Sequence, residues 1–373
     1  MKLNELLDIS VSQYNPLNES IDFLKHALQI GREIIIFPAG TVASGFYNAL
    51  SHYDIIPNYF GDNSTTRIGT TLYNVPILSF SEIHQHHKDA VIIIGTRIYK
   101  TNIIKQFLEN GFASDSLIYV DFTFLHQMKE ANFFSSISQH FDSFSDLLSL
   151  LNDDLSKATF LAKLKYMLTL DSTDLMNCYV PANMYFDPSV YSLSGSESVI
   201  SGGGFTGDTF MEFIKLVSDY KEYHIFEPNQ KNFKVLQNNV SSYKNVYLNN
   251  KGLWSHSDIL QFSLQSGASH IETAKSSSGN EICNLPVTSI DEYLAGKKIT
   301  LIKLDIEGAE HKALEGSQYT IHEHNPKLAI CIYHKPMDIL ELPLYMHELN
   351  PSGRLYIRHY GISGNDTVCY LIP

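Results

Sequence analysis

Short runs of aliphatic residues recur along this chain, each stopping abruptly at glycine or an acid before a helical pattern begins. In the first third they are Glu33–Phe37 entering Pro38-Ala39-Gly40, Ile55–Phe60 ending in Gly61-Asp62-Asn63, Ala90–Ile94 ending in Gly95-Thr96, and Ser116–Val120. In the second half they are Ser198–Ser201 entering Gly202-Gly203-Gly204, Tyr223–Phe226 ending in Glu227-Pro228-Asn229, Asn245–Leu248, Ile299–Leu304 and Lys327–Ile332. A short, continuously apolar run is what a strand buried on both faces needs. Strands alternating with helices make βαβ units and a parallel sheet. The chain is therefore expected to be α/β, with two Rossmann-like, doubly wound domains. Arg354–His359 and Thr367–Ile372, around Gly361 to Asp366, read as an antiparallel hairpin ending the second sheet.

The stretch Phe122–Tyr179 lacks glycine and proline and carries apolar spacing near three and four, so it reads as helices between the modules. The expected organisation is residues 1–125 as an N-terminal Rossmann-like domain, 126–180 as a helical linker and 181–373 as the second domain. A length of 373 residues supports that many cores. The formal charge of −13 argues against a nucleic-acid footprint or an anionic membrane surface as partner. The four cysteines have no CxxC spacing, so no zinc or dithiol site is expected, and Cys331 reads as a core thiol. No signal peptide or membrane-length apolar run is visible, so a cytoplasmic protein without an integral membrane segment is expected, with a homo-oligomer left open.

The carboxyl ends of parallel strands are where ligands bind in such sheets. The glycine turn after Ile200 permits close backbone approach, and the following helix offers free N–H groups. Asp208 at that helix start disfavours a pyrophosphate and suits a ligand with an amino group. Glu227, ending the next strand, stands where an acid chelates ribose hydroxyls. Together these suit S-adenosylmethionine, while a plain helix cap at Asp208 and a solvated strand end at Glu227 are the bland alternative. The run Leu304-Asp305-Ile306-Glu307-Gly308-Ala309-Glu310 crowds three carboxylates at another strand end, although Glu310 needs no more explanation than a helix dipole. His334 follows the neighbouring strand, and imidazole is the usual general base near neutral pH. Asp305 or His334 is the candidate base, with Glu307 orienting it or the substrate. A divalent metal among these carboxylates is conceivable chemistry but is not indicated by spacing.

Val199–Thr209, Phe226-Glu227-Pro228, Ile302–Glu310, Tyr333-His334 and Leu355–Tyr360 resemble the FkbM-type methyltransferase family, over roughly Tyr185 to Pro373. That resemblance implies a class I methyltransferase fold, S-adenosylmethionine as donor, and methylation of hydroxyls on sugars, glycans or macrocycles, with polysaccharide biosynthesis as the setting. It implies cofactor contacts at Ser201, Gly203, Phe205, Gly207, Asp208, Glu227, Pro228 and Asp305. The chain departs from the family at Ser201, where an acid is usual, and so gives up a charge-assisted contact.

The N-terminal module, with Phe37–Gly45, Phe60–Asn63 and Val75-Pro76-Ile77, resembles Rossmann-like domains attached to sugar-modifying enzymes. A nucleotide-sugar or glycan-linked substrate, or a scaffold role, is what it implies. The alternatives are an NAD(P)-dependent sugar oxidoreductase or epimerase, which would want a YxxxK pair that this module lacks, and a non-catalytic nucleotide- or glycan-binding protein. Trp254 reads as core, with adenine stacking as its other use. Arg358 and His359 alternate on the hairpin, so one of them is expected to face outward. The cluster His84-Gln85-His86-His87 reads as a solvated helix end.

Overall fold

The computed structural model describes residues 2–11, 16–96, 99–130, 132–265, 268–271, 282–361 and 364–373. Residues 272–281 of the Ser/Gly-rich loop, and Ile362 and Ser363 of the hairpin turn, lie outside the described residues. The chain divides into two compact units: residues 7–138 with 167–170, and residues 1–6, 139–166 and 171–373. The helices Phe141–Leu150 and most of Asp154–Thr169 thus group with the second unit. No described helix is long and apolar enough to cross a membrane.

The first unit is built on six strands: β1 (Ile34–Phe37), β2 (Tyr59–Asp62), β3 (Thr71–Leu72), β4 (Val75–Ser79), β5 (Val91–Ile94) and β6 (Leu117–Ile118). Their order is β3-β4-β2-β1-β5-β6, parallel except for β3 against β4. Every residue of β1 and β5 is buried, as their apolar runs require. β2 starts four residues later than the apolar run at Ile55 suggests. Pro57 has no N–H to give to a ladder. Asn58 bridges to β1 instead, its side-chain oxygen accepting from Ile34 N at 2.8 Å. At the carboxyl edge, the Asp62 carboxylate accepts from Ala39 N, Ser64 N and the Arg67 guanidinium. His87, just past the helix Phe80–His86, lies 2.5 Å from Glu33, so the histidine cluster is not wholly solvated.

The second unit adds β7 (Ser198–Gly202), β8 (Glu222–Phe226), β9 (Val246–Asn249), β10 (Gly252–Leu253), β11 (Asp258–Gln265), β12 (Ala268–Ile271), β13 (Ile282–Thr288), β14 (Leu301–Leu304), β15 (Lys327–Cys331), β16 (Arg354–His359) and β17 (Thr367–Ile372). A small sheet orders β10-β13-β11-β12, and the main sheet orders β16-β17-β15-β14-β7-β8-β9. β9, β8, β7, β14 and β15 are parallel, and the β16–β17 hairpin adds antiparallel to β15. From β7 the chain winds outward through β8 and β9, then returns to β14 on the other flank. The strand order therefore switches direction between β7 and β14, where an open sheet parts its loops into a crevice.

Both faces of the hairpin are covered, which corrects the expectation of one outward-facing side chain from Arg358 and His359. Both are buried, at 2% and 0% exposure. On the Arg358 face the start of the helix Asp154–Thr169 and the turn before it supply the cover: Arg358 bonds Asp153 Oδ2 at 2.6 Å and Ser156 Oγ at 2.8 Å. His359 meets Thr367 Oγ1 at 3.0 Å. Burial alone would raise the Asp153 carboxyl, but Arg358 and Ser156 outweigh it and hold it below its ordinary value. A depressed carboxylate adds stability that is full above its unfolded value and drains as pH falls through the folded one. Asp153→Ala leaves a buried guanidinium unpaired and should cost about 3 kcal/mol at neutral pH, the low end for a broken buried pair because Asp153 is partly exposed. Thermal melts at pH 7 and pH 3 check this: the gap between mutant and wild type should shrink at the lower pH.

Candidate functional site

The loop after β7 is built from conformations and spaces that only glycine fills. Gly203 has φ +77°, and a Cβ there would lie 1.8 Å from the Asp305 carbonyl oxygen. The loop is thus seated directly on the end of β14. At Gly204 a Cβ would come within 2.4 Å of Ile225. Phe205, at φ +43°, is half exposed, and its N–H donates to Glu227 Oε2 at 2.7 Å. Gly207, at φ +95°, starts the helix Asp208–Leu216 with no side-chain cap, leaving exposed Asp208 in the first turn.

Glu227 follows β8 and is buried. Its Oε1 accepts from Asn229 N at 2.8 Å while Oε2 holds Phe205, so this acid ties the end of β8 to the glycine loop. Burial pushes its pKa up, against the pull of those amides. Pro228 beside it is half-buried, and both carbonyls accept from the Asn250 side chain, at 2.8 and 3.2 Å. Trp254, just past β10, is also half-buried.

β14 carries one polar residue among apolar ones, Lys303, and it is 1% exposed. Its ammonium donates to the carbonyls of Gly202 and Gly203 at 2.9 and 3.0 Å and lies 4.8 Å from the Tyr185 ring centroid. Ser201, buried in β7, is its cross-strand register partner. With an uncharged serine opposite, this lysine is met by two backbone carbonyls and a ring face.

Asp305 ends β14 and is gripped from two directions. Tyr185 Oη donates to Oδ2 at 2.7 Å and Tyr333 Oη to Oδ1 at 3.1 Å. Tyr185 is itself held by β17, its N–H donating to Tyr370 Oη at 3.2 Å. His334 lies among three carboxylates. Nε2 is 3.3 Å from Asp305 and 3.7 Å from Glu307, and Nδ1 is 2.9 Å from Glu310. Glu307 adopts φ +57°, a left-handed conformation that few non-glycine residues take, followed by Gly308 at +93°. That pair turns the chain from β14 into the helix Glu310–Glu315. Glu310 is 1% exposed, and one oxygen accepts from Ile306 N at 2.8 Å, so it is more than a helix-start acid.

The electrostatics follow from this crowding. Burial alone would raise Asp305, but the His334 contact, the Lys303 charge and the Tyr185 hydroxyl outweigh it and hold the carboxyl far below the usual range. Burial alone would lower His334, but Asp305 and Glu310 outweigh it and keep the imidazole protonated well above its ordinary value. Asp338, buried just behind, is pushed up to about 7, first by burial and then by Glu310. The cluster therefore holds more carboxylate than the cations within it balance.

Of the residues singled out in the sequence, Gly203, Phe205, Gly207, Glu227, Asp305, Glu307 and His334 lie on linked carboxyl ends of β7, β8, β14 and β15. Sequence reasoning gave no site role to Lys303, Tyr185, Tyr333 or Asp338. Lys303 had a signal, a lysine inside a run otherwise apolar enough to be buried, and Tyr333 stood beside His334 in the resemblance. Tyr185→Phe removes one of the two phenol donors to Asp305. We expect about a tenfold loss of turnover, the scale of one hydrogen bond to a charged group, with an unchanged oligomer profile and circular dichroism spectrum; steady-state kinetics checks it.

Residues 201–352 match the family model described as the methyltransferase FkbM domain. A crystal structure of methyltransferase FkbM from Methylobacillus flagellatus KT superposes with a TM-score of 0.68 at 21% identity, covering 95% of this chain and 99% of its own. That likeness shows a shared fold. An rRNA methylase from Streptococcus thermophilus aligns at 16% identity over 48% of this chain and 88% of its own, with a TM-score of 0.32. No curated protein matches the chain.

Proposed function

We propose, for a chain that carries an FkbM methyltransferase domain and is an S-adenosylmethionine-dependent methyltransferase, that the methyl group goes to a hydroxyl of a sugar or glycan in cytoplasmic steps of cell-surface polysaccharide synthesis. The observation that carries this is the joined pair of sites: a glycine loop seated on Asp305, and an acid–imidazole cluster on the other side of the same residue. The loop suits the cofactor because its glycines let the backbone turn tightly against the strand ends, where a Cβ at Gly203 would meet the Asp305 carbonyl and one at Gly204 the Ile225 side chain. Ser201, Gly203, Phe205, Gly207, Asp208, Glu227, Pro228 and Asp305 are the residues we assign to it. Asp208 faces the methionine amino group and Glu227 the ribose. When bound, the cofactor supplies an activated methyl on a sulfonium.

The protein's own contribution is to hold the acceptor oxygen and dispose of its proton. His334, in its neutral form, or Asp305 accepts that proton as the new O–C bond forms. Glu307, partly exposed at the rim, orients the acceptor. The first unit holds a nucleotide-sugar or glycan-linked acceptor, or serves as scaffold. Calorimetric titration of S-adenosylmethionine, then a mass-spectrometric screen of nucleotide-sugars and glycans for gain of one methyl group, tests the reading. Absence of cofactor binding by the folded chain would sink it; binding with methylation only of non-sugar acceptors would overturn the substrate class.

A further inference from the structure

We infer that Asp305, Glu310 and His334 form a binding site for one divalent first-row metal ion. One donor atom from each residue lies within 4.8 Å of the others; donors about 2.1 Å from a single ion stand at most about 4.2 Å apart, so a side-chain shift of a few tenths of an ångström closes the three around one ion. The second observation is independent of that spacing. Glu310 is 1% exposed, and its Oε2 has no hydrogen-bond partner. The His334 side chain is 7% exposed, and its Nδ1, although 2.9 Å from Glu310 Oε1, makes no aligned hydrogen bond. Buried polar atoms of native proteins are nearly always partnered, and an orphaned carboxylate oxygen beside a ring nitrogen held only by an ion pair is costly. An ion at this site gives the Glu310 oxygen a partner.

The shell around these donors is already arranged. Asp305 is fixed by the Tyr185 and Tyr333 hydroxyls, and Glu310 by Ile306 N, as outer partners fix metal-binding carboxylates. The imidazole favours a first-row transition ion over Ca²⁺ or Mg²⁺, which prefer all-oxygen shells, and the two carboxylates suit Mn²⁺ among that row, which also carries a readable spectroscopic signal. Glu307, 3.7 Å from the ring and partly exposed, closes the rim. The role of the ion rests on the methyl-transfer reading, whereas its binding does not. A bound ion would act as a Lewis acid on the acceptor hydroxyl, with Asp305, Glu310 and His334 holding it, and the base role given above to His334 or Asp305 would then fall to Glu307.

The experiment is a Mn²⁺ titration of the full chain followed by electron paramagnetic resonance, beside calorimetry of S-adenosylmethionine on the same samples. We expect one equivalent of Mn²⁺ to lose its free-ion signal, with ¹⁴N coupling from the imidazole in the pulsed spectrum. Glu310→Gln, close in shape and still able to accept from Ile306 N, should weaken binding at least tenfold. His334→Ala should abolish the ¹⁴N coupling. A free-ion signal that persists at millimolar Mn²⁺ with a folded wild-type chain overturns the proposal. So does binding without ¹⁴N coupling, or equal binding by wild type and Glu310→Gln. If a variant does not fold, the wild-type stoichiometry and coupling decide alone. Cofactor binding without Mn²⁺ binding defeats the metal site and leaves the methyl-transfer reading standing.

Discussion

Gly203→Ala should abolish S-adenosylmethionine binding and lower the melting temperature sharply. Two costs combine at this position. The left-handed backbone at φ +77° penalises any Cβ by about 1–2 kcal/mol. The larger cost is steric: the new carbon would sit 1.8 Å from the Asp305 carbonyl oxygen, a backbone atom that cannot rotate away. Either the loop lifts off β14 or β14 shifts, and both break the Lys303 bonds to Gly202 and Gly203. A matched control separates the two costs. Gly296 has φ +87° with nothing within 4 Å of its added Cβ, so Gly296→Ala carries the backbone penalty alone. We expect Gly296→Ala to bind cofactor like wild type with a slightly lower melting temperature, and Gly203→Ala to lose at least a hundredfold in affinity. Calorimetry on both variants reads this directly. Wild-type affinity in Gly203→Ala would mean that the loop is not the cofactor cradle.

The sheet was legible because its strands are buried on both faces. Such strands are apolar throughout or nearly so, and the runs at Ile34–Phe37 and Val91–Ile94 show themselves in any reading of the chain. The terminal hairpin was legible for the same reason, its bounds falling at Arg354–His359 and Thr367–Ile372 as the alternation suggests. What covers the hairpin was not legible. Period-two alternation distinguishes two faces but says nothing of whether each meets water or a helix, so one of Arg358 and His359 is expected outside, whereas Asp153 and Ser156 pack against Arg358 and both side chains are buried. The helix Asp338–Leu349 went unplaced because Pro343 sits in its interior, where a proline ordinarily marks an end. In the site, strand ends advertise themselves by an apolar run stopping at an acid, which is how Asp305 and Glu227 stand out. Tyr185 reaches Asp305 from a segment with no regular period, 120 residues away in sequence, so no local pattern could announce it. Lys303 lay inside the stretch Ile302–Glu310 that carries the resemblance, yet its meaning depends on Ser201 lying opposite, a fact of register that the linear chain does not state.

Asp305→Asn should reduce turnover by about 10²–10⁴-fold, the range for losing a positioned acid–base group, while changing cofactor affinity by less than about tenfold. The amide keeps the shape of the side chain and one oxygen acceptor. It removes the negative charge that holds His334 protonated and partly compensates Lys303. It also turns one acceptor into a donor facing either Tyr185 or Tyr333, both of which donate to the carboxylate. One phenol must therefore turn away, and the geometry that aligns the acceptor oxygen is lost along with the charge. The proposed cofactor contacts are spread over Ser201 to Asp208, Glu227 and Pro228, with Asp305 one among them, which is why the two readouts should separate. A double-mutant cycle sharpens the test. If Tyr185 works only by fixing Asp305, the roughly tenfold effect of Tyr185→Phe should vanish once Asp305→Asn is present. Kinetics on an acceptor from the methylation screen, with calorimetry on the same preparations, gives both quantities. Turnover within threefold of wild type in Asp305→Asn would remove this residue from the chemistry. Additive effects of the two substitutions would show instead that Tyr185 touches the reaction by a route of its own.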